Sequence, residues 1–286
     1  MEADGLKPQV QELIIDYSTC YSDAPDYPNV AAVPSNLVTA NFKKNSSNTQ
    51  TDSYTWQKTT VNQTYFTSST NSSLDVVVPT VQCTINFTIP EDMNPPVLFY
   101  YRLTNFYQNH RRYAKSFSTG QLSGTAESAS SIDSSDCTPL TTVTFPDGTK
   151  KPYYPCGLAP NSVFNDTFFS PVWLNPTDTN ANNETYGMDS TTDISWASDK
   201  QLYGPYQGNW SDVVVPPNWV ERYPNNYSDE YHPDLVNDEH FQVWMRLAGL
   251  PTFSKLYQRN NNKTMSSGQY SVNINHRRTP YAPVGI

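Results

Sequence analysis

The side chains most able to do chemistry in this chain are its four cysteines, nine sequon asparagines, four histidines and one local basic cluster. The cysteines are Cys20, Cys83, Cys137 and Cys156. None forms a C-x-x-C pair, so the spacings of zinc sites and of thioredoxin-like redox centres are missing. Four cysteines allow three pairings. Sequential pairing would close two separate loops, worth roughly 4 and 3 kcal/mol on a chain-entropy account. N-x-[S/T] triplets begin at Asn45, Asn62, Asn71, Asn86, Asn165, Asn183, Asn209, Asn226 and Asn262. A sequence this rich in Asn, Ser and Thr would give roughly five or six by chance. An even cysteine count beside surplus sequons points to an oxidising compartment, lumenal or extracellular, with N-linked glycans expected. Buried free thiols in a reduced cytosol are the competing reading.

Catalytic signatures are missing. Gly120-Gln121-Leu122-Ser123-Gly124 places its serine one position too late for a nucleophile elbow. No H-E-x-x-H, P-loop or strand-to-helix G-x-G-x-x-G occurs. The histidines are His110, His232, His240 and His276; His232 and His240 are eight apart, which fits no common metal spacing, and each is expected to cap a turn or pack. No metal or cofactor is therefore expected. Carboxylates are plentiful, but no pair stands out for glycosidase-type acid and base work. The basic cluster, His110-Arg111-Arg112 with Lys115, follows Asn105-Phe106-Tyr107-Gln108-Asn109. Asn105, Phe106, Tyr107, Arg111 and Arg112 could form a recognition surface for a partner. Alternatively the arginines clamp carboxylates and carbonyls around a packed helix, a use for which arginine is well suited and which carries more weight.

The elements that position these residues follow from periodicity. Leu13-Ile14-Ile15-Asp16-Tyr17 reads as a short first strand. Residues 22–75 read as a long, mostly irregular excursion. Cys83, Ile85, Phe87 and Ile89 alternate with Thr84, Asn86 and Thr88, which gives a strand one dry and one wet face and places Asn86 toward water. After Pro95-Pro96, Val97 to Tyr101 reads as a more fully buried strand antiparallel to the first. A helix is expected from Thr104 to about Lys115, with Phe106, Tyr107, His110, Tyr113 and Ala114 on one face. Residues 121–236 form a second long insertion, Pro/Asn/Asp-rich and anchored by tryptophans. The best helix spans 237–249, where Phe241, Trp244, Met245 and Ala248 form an apolar stripe. Gly268 to Asn275 alternates as a last strand. The core strands are thus placed at about 9–19, 76–104 and 252–275, with insertions at about 22–75 and 121–236.

Composition sets the class. The chain has 286 residues, 18 Lys+Arg against 27 Asp+Glu, and a formal net charge of −9. That balance lacks the basic footprint of a nucleic-acid binder, so no nucleic-acid partner is expected. Hydrophobic residues are only 36%, but aromatics at 13% can bury enough area to offset chain entropy. No stretch approaches 18 apolar residues, so neither a membrane span nor a signal peptide is expected within the chain.

Five blocks together resemble the cell-division-control protein 50 family, also called ligand-effect modulator proteins. They are Tyr101-Arg102-Leu103-Thr104-Asn105-Phe106-Tyr107-Gln108-Asn109-His110-Arg111-Arg112-Tyr113; Cys156-Gly157-Leu158 running to Asn165-Asp166-Thr167-Phe168; Ile194-Ser195-Trp196-Ala197-Ser198-Asp199-Lys200; Pro216-Pro217-Asn218-Trp219 with Tyr223-Pro224; and Glu239 to Arg246 leading to Leu250-Pro251-Thr252-Phe253-Ser254-Lys255-Leu256-Tyr257. They occur in the family's order. Ala159-Pro160 departs from the family's usual Ile-Ala, and His276-Arg277-Arg278-Thr279-Pro280 from its usual membrane-proximal pattern.

The resemblance implies a mainly β, antiparallel β-sandwich with a few short helices and two long, disulfide-stapled insertions. It implies the pairs Cys20–Cys83 and Cys137–Cys156, and glycosylation at Asn165. It further implies that residues 1–286 are the single exoplasmic domain of a non-catalytic accessory subunit, whose flanking membrane helices lie outside this chain. The partner would be the catalytic subunit of a type-IV P-type ATPase, a phospholipid flippase. The site would be the exoplasmic side of the Golgi, endosomal or plasma membrane, after export from the endoplasmic reticulum. The competing class is a secreted lectin-like binding module, suggested by the aromatic, polar and acidic composition.

Overall fold

The structure, a computed structural model, describes residues 10–42, 53–70, 72–174 and 182–276. Its strands are β1 (Glu12–Ile15), β2 (Ala31–Ala32), β3 (Val38–Asn41), β4 (Thr55–Phe66), β5 (Val76–Ile89), β6 (Val97–Leu103), β7 (Thr142–Thr144), β8 (Lys150–Pro152), β9 (Thr167–Phe168), β10 (Val172–Leu174), β11 (Glu184–Thr185), β12 (Phe253–Asn260) and β13 (Gly268–His276). Its α-helices are short: α1 (Cys20–Asp23), α2 (Arg111–Lys115), α3 (Thr119–Leu122), α4 (Ala129–Asp133), α5 (Leu158–Asn161), α6 (Ala197–Lys200) and α7 (Glu239–Met245). The main sheet runs β11-β10-β13-β5-β4-β2, with β9 also pairing β13. β12 and β6 form a second antiparallel layer.

The alternation of β5 creates the core. Cys83, Ile85, Phe87 and Ile89 are buried, and β13 supplies Tyr270, Val272 and Ile274 beside them. Val97 and Tyr101 of β6 and Tyr257 of β12 close the same cluster from the second layer. A separate cluster fills the second insertion, built on Tyr154, Val213, Val215, Trp219, Tyr223, Tyr227, Leu235 and Phe241. The helix α7 belongs to both: Phe241 enters the insertion's cluster, while Trp244, nearly one turn on, enters the sheet's.

Several expectations need correction. The described residues of 22–75 are not mostly irregular: β4 contributes twelve residues and pairs along β5 from Asn86 to Val76. Its Thr, Val, Tyr and Trp content suits a strand, but polar residues on both faces hide the alternation. β6 pairs with β12 rather than with β5, because the chain after Ile89 crosses to the other layer. Leu98 and Tyr100 of β6 are exposed, so this strand too has a wet face. The helix expected over 104–115 is only α2; Asn105 adopts φ +56° and the backbone turns before the helix starts. α7 stops at Met245, where Arg246 becomes extended. The first strand is limited to β1, which pairs with β3. Within 121–236, β9 and β10 return to the main sheet beside β13.

Candidate partner interface

Both disulfides join neighbours in the implied sequential pairing. Cys20 and Cys83 lie 6.1 Å apart between Cα atoms and tie α1 to the middle of β5. Cys137 and Cys156, 5.6 Å apart, pack with buried Ile132. Two buried polar side chains stitch the second disulfide to the segment after α2. Ser116 Oγ donates to the Cys137 and Thr138 carbonyls, both at 3.2 Å, and accepts from Leu158 N–H at 2.8 Å. Gln121 accepts from Cys156 N–H at 2.8 Å and donates to the Tyr153 carbonyl at 2.9 Å.

The quoted blocks converge on α5. Trp219 Nε1 donates to the Pro160 carbonyl at 3.1 Å, and Trp244 Nε1 donates to the Ala159 carbonyl at 2.8 Å. Asn218 N–H donates to Asn161 Oδ1 at 3.0 Å. Gly157 holds φ +101°, and a side chain there would collide with the Ser116 carbonyl. The tryptophans bind main-chain oxygens, so this docking does not use the side chains of Ala159 and Pro160.

Glu239 gathers the next block. Its Oε2 accepts from Ile194 N–H and Ser195 N–H, each at 2.8 Å, and its Oε1 pairs with Lys200 at 2.5 Å. Burial pushes the carboxyl pKa up, but the Lys200 ammonium and the two N–H groups outweigh it and hold it below its ordinary value. Arg246 pairs with Asp199 at 2.9 Å and lies 3.0 Å from the Trp196 ring centroid. Buried Lys255 donates to the Val243, Trp244 and Arg246 carbonyls at the end of α7. Burial, then repulsion from Arg246, lowers its pKa to about 8.

The 105–112 loop rests on this framework. Phe106 N–H donates to the Pro251 carbonyl at 3.0 Å, and its ring sits edge-on to Tyr113, Trp244 and Phe253. Gln108 is fully buried; its Oε1 accepts from Ala248 N–H at 2.8 Å. Asn109 Nδ2 donates to the Gly249 carbonyl at 3.0 Å. Of the five residues expected to meet a partner, Phe106 therefore packs inward. Asn105, Tyr107, Arg111 and Arg112 are exposed. The clamp reading of the arginines is corrected: among the described residues neither makes an ion pair or side-chain hydrogen bond. The Tyr107-to-Arg112 stretch turns its charges outward because Gln108 and Phe106 take the inward positions.

The sequon asparagines divide by environment. Asn62, Asn183, Asn209 and Asn262 are exposed; Asn45 and Asn71 lie outside the described residues. Asn86 is half-buried between buried Ile85 and Phe87, on the expected face, and donates to Thr55 Oγ1 at 3.3 Å. Half-buried Asn165 precedes Asp166, whose Oδ2 accepts from Tyr17 OH at 2.8 Å and faces His276 Nδ1 at 3.3 Å. Asn226 is built into the fold: at φ +64°, its amide accepts from Val215 N–H at 3.0 Å and donates to the Val213 carbonyl at 3.1 Å. Two of the other histidines pack on aromatic rings, and the third makes no cap hydrogen bond. His232 lies on Trp210, His240 on Tyr257, and His110 precedes α2. Among the described residues, no group of three or more side chains could hold a metal ion, and no helix is long and apolar enough to cross a membrane.

Residues 6–280 match the LEM3 (ligand-effect modulator 3) family / CDC50 family. The chain is 41% identical over 266 residues to the phospholipid-transporting ATPase accessory subunit CDC50 of Chaetomium thermophilum, covering 93% of this chain and 62% of that protein. It is 35% identical over 265 residues to the phospholipid-transporting ATPase accessory subunit CRF1 of Saccharomyces cerevisiae, with 93% and 60% covered. Cell cycle control protein 50A of Bos taurus is 37% identical over 228 residues, with 72% and 57% covered. The chain thus spans about 60% of the length of the curated relatives it matches.

Proposed function

The chain belongs to the LEM3/CDC50 family, and from that premise we propose that it acts as the exoplasmic domain of a non-catalytic accessory subunit of a phospholipid flippase. The observation that carries this reading is the 41% identity, along 93% of the chain, to a protein named as an accessory subunit of a phospholipid-transporting ATPase. The partner is the catalytic subunit of a type-IV P-type ATPase, held one to one, and the ATP-driven chemistry stays with that subunit. The accessory subunit supports the pump's folding, its export from the endoplasmic reticulum and its transfer of phospholipid to the cytosolic leaflet. The domain faces the lumen of the Golgi or endosomes, or the cell exterior, and carries N-linked glycans. Exposed Asn62, Asn183, Asn209 and Asn262 suit such glycans by accessibility, and Asn165 by family resemblance.

The test is a chimera. Residues 6–280 replace the matched region of the Chaetomium thermophilum relative, in cells lacking their own accessory subunits. The fraction of phospholipid-transporting ATPase leaving the endoplasmic reticulum is then measured. Export restored to the level given by the intact relative is expected. Retention of the ATPase, with a chimera that itself folds and leaves, would overturn the reading.

A further inference from the structure

We propose that the groove between the β7–β8 hairpin and residues 213–226 is a binding site for a fatty acid, a single hydrocarbon chain ending in a carboxylate. Its existence does not depend on the accessory-subunit reading. The groove has a volume of about 350 Å³, within the roughly 300–1,000 Å³ range of small-molecule sites. At about 30 Å³ for each water-sized group, that suits one chain of about a dozen such groups rather than two chains. Its walls are Val214, Val215, Val220, Pro224 and the rings of Phe145 and Tyr223. Phe145 and Val220 remain 37% and 48% exposed, so apolar surface is left for a ligand to cover. Both walls are fixed by the fold itself. Lys150 and Thr142 of the hairpin bond Asp133 at the end of α4. Tyr223 and Val215 belong to the aromatic cluster of the second insertion. A groove held in this way lowers the ordering cost of binding.

The hydrogen bonding of the walls selects a hydrocarbon. Val214 N–H donates to the Pro152 carbonyl, and Tyr154 N–H to the Val214 carbonyl, both at 2.9 Å. Val215 N–H donates to Asn226 Oδ1 at 3.0 Å, and Asn226 Nδ2 to the Val213 carbonyl at 3.1 Å. These groups are thus satisfied within the fold. A polypeptide in the groove would bury its own N–H and C=O groups against apolar walls, which is costly. An alkyl chain carries no such groups. Charge then selects the head. Among the described residues, Lys151 is the one charged side chain lining the groove. Its ammonium donates to the Ser211 carbonyl at 2.6 Å and lies 5.6 Å from the Phe145 ring centroid. One of its three N–H donors is used in this way. Neighbouring Lys150 pairs with Asp133, whereas Lys151 forms no ion pair among the described residues. Asp147, in the hairpin turn, senses the Lys151 charge, but its carboxylate accepts from Thr149 N–H at 2.9 Å. A ligand carboxylate gains a charge-assisted hydrogen bond from Lys151 while its chain covers Phe145 and Val220. The same ammonium repels a cationic head.

The experiment is calorimetric titration of dodecanoate into the 286-residue chain, made in a secretory host so that both disulfides form. The parent is compared with Lys151→Gln, Val220→Asp, and Lys263→Gln on the exposed pair with Glu184. The parent is expected to bind one dodecanoate with a negative heat-capacity change. Lys151→Gln and Val220→Asp should each weaken binding about tenfold, with melting temperatures unchanged, while Lys263→Gln leaves it intact. Salt should weaken binding to the parent more than to Lys151→Gln. Lys151→Gln removes no wall, so it decides the matter even if Val220→Asp melts lower. No saturable binding up to about 1 mM overturns the site. Parent-like binding by Lys151→Gln places the fatty acid elsewhere and overturns it too. Equal loss in Lys263→Gln, or equally tight binding of dodecyltrimethylammonium, would show that Lys151 does not select the head. A blocked peptide of alternating leucine and valine that displaces dodecanoate more readily than decanoate does would assign the groove to a polypeptide. Self-association abolished by Val220→Asp would assign it to a second copy. Each of these results overturns the proposal.

Discussion

Glu239 uses one carboxylate to hold two backbone N–H groups and an ammonium, and so fixes the 194–200 segment to α7. Glu239→Gln keeps the shape but removes the charge, and is expected to cost about 1.5–3 kcal/mol. Because the folded state lowers this carboxyl's pKa, its contribution is present above the unfolded value and fades as pH falls through the folded one. Melting curves of the two proteins should therefore converge in acid; a gap that persists there would show that lost shape, not lost charge, is responsible. The asparagines give a second prediction. Site-resolved mass spectrometry should find glycans on Asn62, Asn183, Asn209 and Asn262 and none on Asn226, whose amide already binds Val213 and Val215. A fully occupied Asn226 would mean that this turn forms only after glycosylation. At this scale alternation was legible on the dry face, where Cys83, Ile85, Phe87 and Ile89 are buried; the face expected to be wet is not simply so, since Thr88 is buried and Asn86 is half-buried against Thr55. The sequence was silent on Gln108, Ser116, Glu239 and Lys255, because burying a polar side chain depends on partners distant along the chain.

The two disulfides act on different elements. Cys20–Cys83 anchors α1 to a strand already paired on both sides, whereas Cys137–Cys156 closes a segment with little regular structure around α3 to α5. Removal of a native disulfide costs about 2–5 kcal/mol in small secreted domains. In Cys137→Ser with Cys156→Ser, hydrogen exchange should speed up across residues 116–160 while β5 and β13 stay protected. Uniform loss of protection would show that the insertion and the sheet unfold as one unit. β5, β13 and α7 were readable as elements because each carries a dry face at its own period. β4 was not, since Thr59, Thr60, Gln63 and Thr64 offer no dry face over most of its length. The 104–110 stretch carries apolar residues at helical spacing, but left-handed Asn105 and the Phe106–Pro251 bond set a turn instead. Local pattern predicts an element; long-range hydrogen bonds decide its ends.

Over the whole molecule, α7 joins two aromatic cores, and tyrosines dominate the titration. Burial raises the pKa of Tyr17, Tyr101 and Tyr227 well above normal, and that of Tyr113 and Tyr257 to about 12 against hydrogen bonds that pull these two down. A raised tyrosine stabilises fully below its unfolded value near 10 and loses that contribution as pH climbs toward the folded one. Lys255 has the opposite sign: its lowered pKa makes burial costly in neutral solution, and that cost shrinks from pH 8 upward. Stability should thus hold or rise slightly between pH 8 and 10, then fall steeply; a steady decline from pH 8 would contradict the burial of Lys255. The mainly β, two-layer plan was legible from the few strongly periodic strands and from the family resemblance. The cross-layer pairing of β6 with β12 was not, because strand order is set by which faces close one core. The account's central claim is that this domain serves a phospholipid-transporting ATPase, and the most direct test is inward movement of a fluorescent phospholipid in cells whose accessory subunits are replaced by the chimera carrying residues 6–280. Uptake restored to the level given by the intact relative, and abolished when the ATPase is removed, is the predicted result. Uptake no higher than in cells without any accessory subunit, despite a folded chimera at the cell surface, would contradict it.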